Sequence, residues 1–462
     1  MRIALPDAVP EAHAGYGEPE TRDIPDAASG RPGPGRLERW TLIAIILFLD
    51  SFLHLLTTHF GGSWDQESSP VAQVAWAGVY LYALIGLIVE RERAAAAIRM
   101  SLPMVLIVAL VLLSTFWSTQ PELTAKRAFG LFGTSLIGYY IACRFNLREF
   151  LECLVISTGI ASVFSIFVIL FVHRIGVMQN EYAGAWQGIY GHKNVLAAAM
   201  VLGIMNALLL AIASKGRRRL AYSGLFVMFA GLLAGSRSAT SLVIAAAMAA
   251  LILLTLLCRS KRFAGATAIG LALAAGLVAI AIPALGLDTQ ALFDLLGRDS
   301  TLTGRTDIWP YAITAIGDRP FFGWGYKAFW LDDGPVQQYI TSDWLPFHAH
   351  NGFLELSLDI GIVGTSFFVI GWIAGIWRGV RLVLTSTGAV PLWPLMTLIC
   401  FVLSNITEAT IATYNTFPWV IFLSAFVYAI QKKKSPKVAA YAGYGVVDPP
   451  VDERRSPSAL RV

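Results

Sequence analysis

FLECLVISTGIASVFSIFVILFV, residues 150–172, decides the fold class. One charge, Glu152, interrupts an apolar run as long as the ~20 residues that cross the hydrocarbon of a bilayer. Runs of this kind recur on both sides of it. Together they give about twelve predicted spans, at 40–58, 71–89, 102–117, 127–143, 150–172, 195–213, 220–234, 241–258, 264–285, 353–377, 390–408 and 415–430. Composition agrees: 56% of the chain is hydrophobic and only 14% charged, against about a quarter charged in soluble domains. The expected fold is an all-α polytopic membrane protein of about 12 transmembrane helices, with one long periplasmic loop containing short helices. A soluble fold and a nucleic-acid partner are excluded.

The remaining stretches divide the chain. Residues 1–39 and 431–462 are rich in Pro, Gly, Ala and charge, and read as disordered tails. Spans one to nine occupy 40–285, the long loop 286–352, and the last three spans 353–430. No apolar signal-peptide core precedes residue 40, so the first span is expected to direct insertion.

Basic clusters alternate between the two ends of the spans. Arg91/Arg93/Arg99, Arg144/Arg148, Lys215/Arg217/Arg218/Arg219, Arg259/Lys261/Arg262, Arg378/Arg381 and the lysines after Gln431 share one side. The positive-inside rule makes that side, and both tails, cytoplasmic. The opposite side carries few basic residues: Lys126 and Arg127, Arg174 and Lys193, Arg237, and those of the long loop. Basic residues there need a reason beyond topology. The four cysteines, Cys143, Cys153, Cys258 and Cys400, sit in or at the ends of apolar runs with no ligand spacing, and read as packing residues.

The chemistry gathers at 297–364, which reads GRDSTLTGRTDIW (297–309), DRPFFGWGYKAFW (318–330) and FHAHNGFLELSLDIGIVG (347–364). Arg305 follows Gly304, and Arg237 follows Gly235-Ser236 at a span mouth. A guanidinium offers a planar fork of donors that fits phosphate oxygens two at a time. Each arginine has a plainer alternative, snorkelling to headgroups or pairing with Asp299 or Asp307. Lys193, after His192, is a third candidate for the same anion, with interfacial anchoring as its alternative. His348 and His350 flank Ala349 before a span, and a boundary imidazole suits removal of a proton from a sugar hydroxyl. Asn351, Glu355 and Asp359 follow at steps of four on one helix face. Asp359 lies about 12 Å down that helix, where a carboxylate must be paired or wetted. Gly361 and Gly364 allow another backbone or a lipid chain to come close. A metal site from the histidines and acids is disfavoured by the neighbouring arginines, and no metal or other cofactor is expected. Asp50 and His54, four apart in the first span, read as a buried polar tie.

The order SRS, GRDSTLTGRTDIW, RPFFGWGY, then HN and GIVG resembles the O-antigen ligase and polysaccharide polymerase family. The likeness runs from Arg237 to Gly364 within a core of about 220–370 and extends to WSTQPELT (117–124) and GHKN (191–194). TLTGRT and GWGYKAFW are most similar to exopolysaccharide polymerases of the ExoQ type. The resemblance implies a GT-C-like, inverting, metal-independent glycosyltransferase of the bacterial inner membrane with its active site facing the periplasm. It implies a glycan donor on undecaprenyl pyrophosphate, and as acceptor either another repeat unit or a lipid A core sugar. A flippase and a chain-length regulator of the same pathway would be further partners. His350 would then be the base, with Arg237 and Arg305, helped by Lys193, on the pyrophosphate; His348, Asn351, Glu355, Asp359, Gly361 and Gly364 would support them. The rival class is a twelve-span transporter, which would place its polar residues near the midplane of repeated halves. A non-enzymatic assembly scaffold is a third reading.

Overall fold

The computed structural model describes residues 33–52, 70–179, 182–258, 305–340 and 346–431, which belong to one compact unit. The expected span at 264–285 and most of both tails lie outside the described residues. The architecture is a bundle of helices. Among the described residues the one strand-like pairing is an isolated antiparallel bridge, Val177 with Trp186.

In chain order the described α-helices of ten residues or more are α1 (Arg36–Leu47), α2 (Pro70–Val89), α3 (Arg91–Met100), α4 (Leu102–Leu113), α5 (Pro121–Arg144), α6 (Leu147–Phe171), α7 (Lys193–Ile212), α8 (Gly216–Gly235), α9 (Ala239–Cys258), α10 (Arg305–Asp318), α11 (Gly352–Thr385), α12 (Trp393–Ser404) and α13 (Phe417–Ile430). Among the described residues, five helices are long and apolar enough to cross a membrane: α2, α6, α7, α9 and α11. The pair α3 and α4 makes a sixth if it is one span bent by 87°. The shorter apolar segments Val390–Ser404 and Phe417–Ile430 accompany them. This is a multi-pass membrane protein. The centre of the bundle is α13, buried along its whole length, with Trp419, Phe422 and Phe426 among its fully buried side chains.

The basic clusters that fall among the described residues share one end, while Arg259/Lys261/Arg262 and the lysines after Gln431 lie outside the described residues. Arg93 donates to the Cys143 carbonyl, Arg148 to Ser214, and Arg378 to the Ile430 carbonyl. Helix α1 starts at Arg36, inside the stretch expected to be a tail. Its first turns are held there by charge: Arg144 forks Glu38 at 2.6 and 2.7 Å, and Arg39 pairs with Glu149.

At the other end, α11 breaks. Ile360 and Gly361 leave helical dihedrals, with Gly361 at φ 69°. A helix break frees backbone groups that apolar surroundings cannot satisfy. Here the 320–325 segment satisfies them. Trp324 and Gly325 N–H donate to the carbonyls of Leu358 and Asp359 (2.7 and 3.1 Å), and Ile362 and Val363 N–H donate to the carbonyls of Pro320 and Phe321 (2.7 and 3.3 Å). A Cβ on Gly361 would stand 2.1 Å from the Phe321 carbonyl oxygen. Gly361 therefore takes another backbone, as expected of it. Gly364 does not: a Cβ there would meet the Ile360 side chain, which the break folds back. Gly361→Ala should lower the unfolding midpoint sharply. Its backbone, at φ 69° and ψ −174°, is one that essentially only glycine adopts and costs other residues about 1–3 kcal/mol, and the clash is with backbone that cannot yield. Gly364→Ala, facing a side-chain tip, should cost less. Thermal unfolding of both variants in detergent checks the order.

Candidate active site

The splice carries the polar residues. Lys327, two residues beyond Gly325, is half-buried, with its ammonium 2.7 Å from Glu355 Oε1 and 3.4 Å from Asp359 Oδ2. Its own N–H donates to Asp359 Oδ1 at 2.8 Å. Glu355 Oε2 accepts from the indole of Trp330 and from the backbone N–H of Ala349, both at 2.9 Å. So Glu355, one turn into α11, pins the residue between the two histidines. Burial works to lower the pKa of the Lys327 ammonium. The charges and hydrogen bonds of Asp359 and Glu355 outweigh it and hold the pKa above its ordinary value.

The histidines stand beside this triad. Their ring centroids are 4.0 Å apart. The His350 N–H donates to His348 Nδ1 at 3.2 Å, so His348 carries its proton on Nε2 when neutral. His350 is half-buried and sits at φ 52°. Non-glycine residues at positive φ are held there only by their surroundings and cluster at functional sites. Among the described residues they are Arg237, Lys327, His350, Ala412 and Asn415.

Asn351 is the N-cap of α11, its Oδ1 accepting from Phe353 and Leu354 N–H. Its Nδ2 reaches the Ile406 carbonyl at 3.4 Å. The turn between α12 and α13 thus closes over the helix start, where Gly352 N–H also donates to Asn405 O. Helix α10 supplies the other wall: the Trp309 indole donates to the Ala349 carbonyl at 3.0 Å. Arg305 opens α10 one turn before Trp309. Its side chain lies outside the described residues.

WSTQPELT joins the same knot. Trp117 donates to the Phe322 carbonyl (3.0 Å) and Thr124 to the Tyr326 carbonyl (3.1 Å), while a Cβ on Gly325 would overlap Ser118. Tyr326, fully buried, donates to Ala412 O and accepts from Tyr414 N–H, tying in the last turn.

Arg237 and Lys193 form a second local group. Lys193 is buried as the first residue of α7, its ammonium 3.7 Å from the centroid of the Tyr182 ring. Arg237 is exposed just past α8, its guanidinium against Gly184. Ser238 donates to Asn194 Oδ1 (3.1 Å) and Trp186 N–H to Gly235 O (2.9 Å), so the SRS and GHKN runs are one unit. Asp50, in the π-helical turn Phe48–Phe52, accepts from Tyr190 of that unit at 3.0 Å. His54, its expected partner, lies outside the described residues.

Residues 222–369 match the family model for O-antigen ligase. The resemblance drawn from the motifs holds over that stretch, which runs from α8 into α11. It contains Arg237, Arg305, Lys327, both histidines and the buried acids; Lys193 precedes it. The chain is 27% identical over 267 residues to the exopolysaccharide production protein ExoQ of Rhizobium meliloti (strain 1021), covering 54% of this chain and 59% of that protein. It is also 27% identical over 107 residues to a candidate polysaccharide ligase of Rickettsia conorii (strain ATCC VR-613 / Malish 7), covering 22% of this chain and 26% of the relative. The matches thus span less than two thirds of either relative.

Lys327 is the residue the motifs did not reveal. It stands in the quoted GWGYKAFW, where a loop lysine looks solvated. A signal did exist: Glu355 and Asp359, one turn apart in an apolar helix, require a cation.

Proposed function

We propose that the chain is a glycosyltransferase that polymerises repeat units of an exopolysaccharide or O-antigen. It takes each glycan from undecaprenyl pyrophosphate and passes it to an acceptor sugar hydroxyl, with inversion and without a metal. The observation that carries this reading is the left-handed His350 on a loop pinned by Glu355, at the mouth of α11, within the O-antigen ligase stretch. An imidazole in that position can take the proton of the acceptor hydroxyl as its oxygen attacks the anomeric carbon. The bond from that carbon to the pyrophosphate oxygen breaks, and its electron pair leaves with undecaprenyl pyrophosphate. Arg237 and Arg305, with Lys193, bind the pyrophosphate and neutralise the charge it gains. His348, Asn351, Glu355 and Asp359 position the base loop. The protein works in the inner membrane with this face toward the periplasm.

The decisive experiment supplies purified protein with a defined lipid-linked repeat unit in the presence of EDTA. A ladder of polymer lengths is expected. Product only on addition of a lipid A core acceptor would instead make the chain a ligase. Movement of labelled substrate across vesicles with no new glycosidic bond would make it a transporter. Arg305→Lys keeps the charge and loses the fork. It should cost at least tenfold in activity, about 1.4 kcal/mol; full activity would reduce Arg305 to a charge anchor.

A further inference from the structure

The peptide that joins Ala349 to His350 is held on both sides. Its carbonyl accepts from the Trp309 indole at 3.0 Å, and its N–H donates to His348 Nδ1 at 3.2 Å. The preceding peptide is held too, because the Ala349 N–H donates to Glu355 Oε2. Ala349 itself is fully buried.

This peptide controls His350. The φ of His350 is the rotation about the bond from the peptide nitrogen to its own Cα. With the peptide plane fixed, φ 52° sets the direction in which the imidazole leaves the backbone. A left-handed dihedral is unfavourable for a residue with a Cβ and persists only where the surroundings hold it. A flip of the peptide would release it by carrying φ back to negative values. Two hydrogen bonds oppose that flip. The one from His348 comes from the loop itself; the one from Trp309 is anchored outside it.

The anchor is firm. Tryptophan at a membrane boundary commonly does no more than seat a helix through its amphipathic ring. Here the N–H of half-buried Trp309 is turned to the base loop. Its helix, α10, packs Ile308, Ala312 and Ala315 with Trp324, Phe329 and Ala349 in a hydrophobic cluster apart from the bundle core. The Trp324 indole donates to the Ala315 carbonyl at 2.9 Å, fixing α10 near its far end. Arg305 opens the same helix.

We propose that Trp309 is a positioning residue for His350. Its indole N–H holds the peptide between Ala349 and His350, and so keeps the strained dihedral that aims the imidazole at the acceptor hydroxyl. This rests on the reading of His350 as the base.

The test is a double-mutant cycle on purified full chain. Transfer from a lipid-linked repeat unit is measured for the wild type, Trp309→Phe, His350→Asn and the pair. Phenylalanine keeps an aromatic ring and removes the donor. Trp309→Phe should lower kcat about tenfold or more, the scale of a misplaced catalytic group, and leave KM for the lipid-linked unit near its wild-type value. In the His350→Asn background the same substitution should change the rate by no more than about twofold, because the group it places is gone. Loss of folded protein would instead lower the rate by the same factor in both backgrounds, and that result would overturn the positioning role. A wild-type rate in Trp309→Phe would overturn it too. Either result, with His350→Asn itself slow, leaves His350 as the base. A wild-type rate in His350→Asn would overturn both the base and the residue said to place it.

Discussion

His350→Asn should reduce glycan transfer by about 10²–10⁴-fold, with lipid-linked repeat units accumulating and the protein still in the membrane. Asparagine is the informative substitution, because it tolerates the left-handed backbone that His350 occupies at φ 52°. It keeps the loop and removes the proton acceptor. His350→Ala should lose as much activity, with some stability besides. His348→Ala should be milder, because it removes the acceptor of the His350 N–H and leaves the imidazole of His350 itself. Transfer assayed with a lipid-linked repeat unit, alongside the amount of membrane-inserted protein, separates chemistry from folding. Normal polymer yield from His350→Asn would take His350 out of the mechanism.

Lys327→Met should destabilise the protein by about 3–5 kcal/mol, the cost of leaving a buried ionic group without its partner. Glu355 and Asp359 are 1% and 2% exposed, and Lys327 is the described cation that touches both. Removing the acids as well, in Lys327→Met/Glu355→Gln/Asp359→Asn, should restore part of the lost stability, since no bare charge remains. Activity should not return with it, because Glu355 no longer holds the Ala349 N–H as a carboxylate. Thermal unfolding and transfer assays on the single and triple variants test the separation. The sign of the pH response follows from the raised pKa of Lys327. Its contribution is fully present below the ordinary lysine value of 10.5 and is lost as pH rises through the higher folded value. The wild type should lose midpoint temperature in that alkaline range, and Lys327→Met should lose less.

The helices were legible because bilayer thickness imposes a length on apolar runs, and five of those described are long and apolar enough to cross a membrane. Helices stand at every expected span that falls among the described residues. The shared end of the described basic clusters was legible for a similar reason, since charge patterning repeats with each crossing. The site was legible only in its residue types. Arg237 stood out because basic residues are few on that side, and His350 because a boundary imidazole suits proton transfer.

What the sequence determined by itself, then, is what depends on composition along the chain: the helices, their alternation, and the polar interval at one end. Tertiary structure decided the rest. Lys327 lies 28 residues from Glu355, and only the break at Gly361 opens α11 for the 320–325 backbone that delivers it. That break depends on a dihedral and on unsatisfied carbonyls, which two glycines in a row of letters do not specify. An ion pair in apolar surroundings is a statement about distance in space, and distance in space is set by packing.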